Sequence, residues 1–283
     1  KKWKNVTPKD LLPGGRVDAV EPSPHKASKA YIAVLRYQLG DWKPYIYKTE
    51  NYGKNWTLLT NGKNGIPADY PTRVVREDPN REGLLYAGTE FGLFMSFDDG
   101  KTWKAFQQNL PVTPVTDIKV YRNNLAVSTM GRSFWILDDI STLHSWEKSV
   151  EENITTLFKP RDTHRFRYRS FGRSDVPDYP PSSVIIDYFL ANESSVDVTI
   201  DVLNSQGKVV RSYSSTSSEV NDTQARTNMA TGFFMSGGVI LLKKALESIV
   251  SDGIFVIQAP GTITPKEPFE MVRWQHPAAT PSE

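Results

Sequence analysis

The chain has 283 residues, of which 39% are hydrophobic and 23% charged, with 34 Lys and Arg against 32 Asp and Glu for a formal net charge of +2. This composition belongs to a folded globular chain and gives no bulk electrostatic pull towards nucleic acid or an anionic membrane. Cysteine is absent and there are four histidines, so disulfides, cysteine-ligated zinc, iron–sulfur clusters and thiol catalysis are excluded, and neither a metal nor a cofactor is expected.

The chain opens Lys1-Lys2-Trp3-Lys4-Asn5 with no apolar stretch behind it, which reads as a fragment or as a chain whose targeting segment was removed. Short β-rich runs follow at 29–37, 84–88, 93–97, 118–121, 125–129 and 133–137, separated by Gly, Asn, Asp and Pro. That punctuation predicts an all-β domain. From about Glu147 the texture changes. Residues 153–187 carry Arg161, Arg165, Arg167, Arg169 and Arg173, then Pro177, Pro180 and Pro181. They read as a solvated linker, with a basic ligand patch as the competing reading.

After the linker a strand is expected at 184–190. Strict alternation at 196–202 predicts a half-buried strand, and a turn at 204–207 leads to a return strand at 208–213, the makings of a small antiparallel sandwich. Val239, Leu242, Leu246 and Ile249 recur at helical spacing before Asp252-Gly253, which predicts a short helix there. The longest aliphatic run, at 239–242, is far short of the roughly 18–20 residues of a membrane span.

An internal repeat organises the first half. Residues 96–103 read S-x-D-x-G-x-T-W, built on Ser96, Asp98, Gly100 and Trp103. A degraded copy at 49–56 reads T-x-N-x-G-x-x-W, built on Thr49, Asn51, Gly53 and Trp56. Upstream, Arg16-Val17-Asp18-Ala19-Val20-Glu21-Pro22 matches Arg73-Val74-Val75-Arg76-Glu77-Asp78-Pro79, and Ala30-Tyr31-Ile32-Ala33 matches Leu85-Tyr86-Ala87-Gly88. Residues 115–139 repeat the strands without the box, and Lys2-Trp3-Lys4 has the form of an earlier box's tail. The box suits a tight hairpin. Glycine supplies positive φ, the short carboxylate or amide accepts turn N–H groups, and the indole fills the gap between adjacent sheets. All eight box residues are therefore read as structural.

This pattern resembles the Asp-box, or BNR, repeat of bacterial sortilin-like β-propeller proteins, many of which carry a generic glycosyl-hydrolase label. The resemblance covers residues 1–146. It rests on the box at 96–103, on Tyr86-Ala87-Gly88-Thr89-Glu90-Phe91-Gly92, and on Gly131-Arg132-Ser133-Phe134-Trp135-Ile136-Leu137-Asp138-Asp139. It implies a partial β-propeller of about three blades at 1–146, a linker at 147–182, and an immunoglobulin- or fibronectin-like β-sandwich at 183–283. It also implies export to an extracellular or periplasmic location. Three blades of about 40–50 residues are too few to close a ring, so further blades are expected upstream in the same protein or on a partner chain. A sortilin-type receptor continues into a cysteine-rich module, which zero cysteines argues against.

In such a propeller the box turns lie on one face and the chemistry on the other. The loops of the presumptive working face carry Asp41, Trp42, Asp69, Tyr70, Glu90 and Arg132. Trp42 and Tyr70 are candidate stacking platforms, with Arg132 a candidate ligand contact. Glu90 with Asp69 or Asp41 is the candidate catalytic pair, since glycoside hydrolysis needs two carboxyl groups about 5–9.5 Å apart. Whether the chain is an enzyme stays open at this point. The favoured reading is non-catalytic recognition or scaffolding with a protein or glycan ligand. The alternative is a glycoside hydrolase acting on a polysaccharide such as a β-glucan.

Overall fold

The computed structural model describes residues 2–146, 155–162, 187–189, 199–203, 206–214 and 254–258. The fold is all-β and its sheets are antiparallel. The first compact unit takes the chain as far as Ile140, and the second starts at Ser141.

Two four-stranded meanders open the first unit. One runs β1 (Arg16–Pro22), β2 (Ala30–Leu35), β3 (Ile46–Thr49) and β4 (Thr57–Leu58); the other runs β5 (Thr72–Glu77), β6 (Leu85–Thr89), β7 (Gly92–Ser96) and β8 (Lys104–Ala105). A third meander has three strands, β9 (Val115–Tyr121), β10 (Asn124–Thr129) and β11 (Phe134–Leu137). Strand β5 packs against β1 and β2, and β9 packs against β5 and β6. The sheets are therefore the side-by-side blades of a propeller arc. No helix among the described residues is long and apolar enough to cross a membrane.

Burial follows position in the stack. The second blade has a neighbour on both flanks, and every residue of β6 and β7 is buried. Strand β11 alternates instead, with Phe134 and Ile136 exposed against buried Trp135 and Leu137, and only Ala19 is buried in β1. The tight approach between blades dictates Gly88, where an added Cβ would lie 2.6 Å from both Val74 and Val115. Arg76 in β5 ties all three blades. Its Nη1 donates to Glu21 Oε2 at 3.0 Å, its Nε to Ile118 O at 3.1 Å, and its Nη2 to Asp117 Oδ1 at 2.7 Å.

The two repeated turns share a hydrogen-bond pattern. The Ser96 hydroxyl accepts the Gly100 N–H at 2.9 Å and donates to Asp98 Oδ1 at 2.8 Å. Asp98 then accepts the Thr102 N–H at 2.9 Å and the Thr102 hydroxyl at 2.7 Å. In the degraded copy Thr49 accepts the Gly53 N–H at 2.9 Å and Asn51 accepts the Asn55 N–H at 2.9 Å. Gly100 has φ +84 and an added Cβ would strike Leu59 at 2.6 Å, so both conformation and space require glycine. Trp103 is buried, and its indole N–H donates to Leu59 O of the preceding blade at 3.3 Å. Trp56 repeats the arrangement, half-buried and donating to Val6 O at 2.6 Å. Segment 2–7 thus lies against the first blade much as 55–60 lies against the second, although 2–7 forms no strand and Trp3 is fully exposed.

One sequence alignment shifts. Strand pairing sets Glu77 opposite Leu85 and Pro22 opposite Ala30. Pro22 therefore corresponds to Glu77 and not to Pro79, an offset of two residues from the motif match. The match followed residue identity, whereas the true frame is set by hydrogen-bond register and a bulge. That bulge recurs in the first strand of every blade, at Asp18, Arg73 and Thr116.

In the second unit β12 (Thr156–Leu157) pairs with β13 (Tyr188–Phe189), and Trp146 packs on Phe158 and Phe189. Strand β14 (Thr199–Leu203) lies between β15 (Val209–Ser214) and β16 (Ile254–Gln258). The hairpin expected at 196–213 is present as β14 and β15. The helix expected at 239–249 and most of the 147–182 linker lie outside the described residues.

Candidate functional site

The β-bulge in the first strand of each blade turns one side chain away from the pleat, and bulges commonly re-aim residues at sites. In the first blade the re-aimed residue is Asp18. In the second it is Arg73. They lie 3.8 Å apart, Arg73 Nη1 to Asp18 Oδ2. Arg16, at the start of β1, donates Nη2 to Asp18 Oδ2 at 3.1 Å. The Asp18 carboxylate, through its hydrogen bond and its charge, raises the Arg16 pKa further.

Glu90 sits in the β6–β7 turn, its N–H held by Pro71 O at 3.0 Å. Its Oε1 lies 2.6 Å from Arg73 Nε. Neither atom has a hydrogen-bond partner, so the contact is an ion pair off the N–H axis. The guanidinium of Arg73 also stands 5.8 Å from the Tyr37 ring centroid, and Tyr37 lies 5.8 Å from Trp42, centroid to centroid. A short 3-10 turn at Tyr37–Leu39 carries Tyr37, and Gly40 in the left-handed region ends it. The cluster spans two blades and runs Trp42, Tyr37, Arg73, Glu90, with Asp18 and Arg16 beside Arg73.

Asp41 belongs to a second, neighbouring network. Its Oδ2 accepts from Arg36 Nε at 2.9 Å and from the Tyr45 hydroxyl at 2.8 Å. Burial pushes the Asp41 carboxyl up, but the Arg36 guanidinium and the Tyr45 hydroxyl outweigh it and hold the carboxyl below its ordinary value. Burial, then the hydrogen bond to Asp41 and its charge, pushes the Tyr45 hydroxyl up to about 12. Tyr70 is half-buried, packed on Phe91 at 4.7 Å and on Phe94 at 6.0 Å. Asp69 is exposed in the loop before β5, and Arg132 is exposed in the β10–β11 turn, where its carbonyl accepts the Trp135 indole N–H at 2.7 Å. Among the described residues, no hydrogen bond or ion pair joins Asp69 or Arg132 to the Arg73 cluster.

The sequence named Trp42 and Glu90, and the fold brings both into one cluster. It did not name Arg73, Asp18 or Tyr37 as a group. The signal for Arg73 was faint: an arginine near a blade start, with nothing in the residue pattern to mark the bulge that aims it. No group of three or more His, Asp or Glu suited to a metal occurs among the described residues.

The turns that carry the boxes hold a different cluster, between the first and second blades. Lys29 Nζ lies 3.0 Å from Glu77 Oε1 and 3.0 Å from Asp99 Oδ1, and Lys48 Nζ lies 2.7 Å from Asp99 Oδ2. The Tyr31 hydroxyl donates to Glu77 and Asp99, and the Gly83 N–H donates to Glu77 Oε1 at 3.0 Å. Two lysines of the first blade thus pair with two carboxylates of the second, an inter-blade clamp.

No family model matches the chain, and no curated protein matches it. Among solved structures, a GH74 enzyme from Niastella koreensis is similar with a TM-score of 0.36 and 17% identity, over 44% of this chain and 21% of that one. The GH74 xyloglucanase from Xanthomonas campestris gives 0.33 and 16%, over 44% and 22%. YCF48 bound to D1 peptide gives 0.32 and 14%, over 45% and 38%. The matched part thus spans about a fifth of the length of the two GH74 enzymes.

Proposed function

We propose that this chain is part of an exported Asp-box β-propeller, followed by an immunoglobulin-like sandwich in 183–283, and that it acts by non-catalytic recognition of a protein or glycan. The observation that carries this reading is the state of the candidate acids. Glu90 is clamped by Arg73 at 2.6 Å, and Asp41 is held below its ordinary value. A glycosidase needs one carboxyl group kept protonated at working pH, and the Arg36 guanidinium and Tyr45 hydroxyl hold Asp41 in the opposite state.

A flank completed by further blades of the same protein, or of a partner chain, goes with this reading. Val20 of β1 is exposed, while Val75, its counterpart in β5, is buried. Incubation with β-glucan polysaccharides, followed by reducing-end measurement, tests the assignment. No release above a blank is expected. Release that disappears in Glu90→Gln would establish hydrolysis instead.

A further inference from the structure

Arg73 presents a specific shortage. Its side chain is 9% exposed. A guanidinium carries five N–H donors, and buried donors demand acceptors. Among the described residues its buried Nε has no hydrogen-bond partner; the guanidinium makes ion pairs with Glu90 and Asp18 and stands over the Tyr37 ring. Charge, by contrast, is not short. Two carboxylates, Asp18 and Glu90, already balance the two guanidiniums of Arg16 and Arg73. What the cluster lacks is neutral acceptors.

We infer that the Arg73 cluster binds a neutral oligosaccharide, with Arg73 donating to its hydroxyl groups and Trp42 stacking on a sugar ring. The inference rests on the recognition reading above and names the ligand of that same site. An anionic ligand would bring a third negative charge against Asp18 and Glu90. A sugar hydroxyl brings lone pairs to Arg73 without that charge, and its proton can be donated to either carboxylate. The indole of Trp42 is 47% exposed, an amphipathic surface of the kind that binding sites use beside a few convergent polar groups. It connects to Arg73 through the Tyr37 ring, by contacts of 5.8 Å each.

Titration calorimetry of the full chain tests this, with cellohexaose, xylohexaose and mannohexaose as neutral probes and hexagalacturonate as the acidic one. At least one neutral probe is expected to bind, with a dissociation constant that hardly changes with salt, because no ion pair forms on binding. Arg73→Lys keeps the charge opposite Glu90 and loses the forked donors; it is expected to weaken binding about tenfold or more, roughly 1.4 kcal/mol. Trp42→Ala, at an exposed ring, is expected to weaken it comparably with no change in melting temperature. Binding of hexagalacturonate alone, binding of no neutral probe, or affinity unchanged in both variants would each overturn the inference. New reducing ends released from a bound probe would sink the non-catalytic reading and leave the ligand assignment standing.

Discussion

The two box tryptophans form an internal comparison. Trp103 is 3% exposed, wedged between the first and second blades, with its indole N–H on Leu59 O. Trp56 holds the same place one blade earlier but is only half-buried, packed on Ile32, Val34 and Tyr47 with its indole N–H on Val6 O. Removing a fully buried Trp side chain loses its transfer free energy and leaves a cavity, together about 3–5 kcal/mol. Trp103→Ala falls in that range, since Gly65 is held against the Trp103 backbone and cannot close the gap cheaply. Trp56→Ala removes a smaller buried area and opens no enclosed cavity, so about 1–2 kcal/mol follows. Urea unfolding of the full chain, followed by far-ultraviolet circular dichroism, measures both, and an unchanged slope certifies that stability alone moved. A loss below about 1 kcal/mol at Trp103, or equal losses at the two sites, would show that blade stacking does not set the burial of these rings.

Two further outcomes come from the inter-blade contacts. Burial raises the Asp99 carboxyl, but Lys48, Tyr31 and Lys29 overcome it and the net shift is downward. A depressed carboxylate contributes stability that is complete above its unfolded value, about 3.9, and is lost as pH falls through its lower folded value. Asp99→Asn is therefore expected to flatten the acid limb of a melting-temperature profile, and an unaltered limb would refute the assignment. Gly88→Ala places a Cβ 2.6 Å from Val74 and Val115; overpacking there is expected to cost about 1–3 kcal/mol, and a neutral result in thermal melting would mean the blades are not in tight register.

The repeat was legible because its demands are local. A hairpin needing positive φ selects Gly53 and Gly100, and one hydroxyl and one short acceptor are enough to satisfy the turn N–H groups, so the spacing alone announces Ser96, Asp98 and their copies. The strands at 84–88, 93–97 and 125–129 were visible for the same reason. The site was only half legible. Trp42 and Glu90 lie in loops that the repeat frame places on one face. Arg73 does not, because a bulge is one extra residue in a register that only strand pairing defines. The offset between Pro22 and Pro79 is the same failure, with identical residues aligned and the wrong partners across the sheet.

The amino-acid sequence by itself determined the all-β class, the box hairpins, the repeat of strands and the exclusion of cysteine chemistry, since each depends on neighbours a few residues away. Tertiary structure decided which blade faces are buried, that Arg76 joins three sheets, and that Asp18, Arg73, Glu90, Tyr37 and Trp42 meet. Those outcomes depend on how adjacent sheets stack and where each first strand bulges, and the free energy of such contacts is shared between segments 40 or more residues apart, as the pairs Arg76 with Asp117 and Lys29 with Glu77 show.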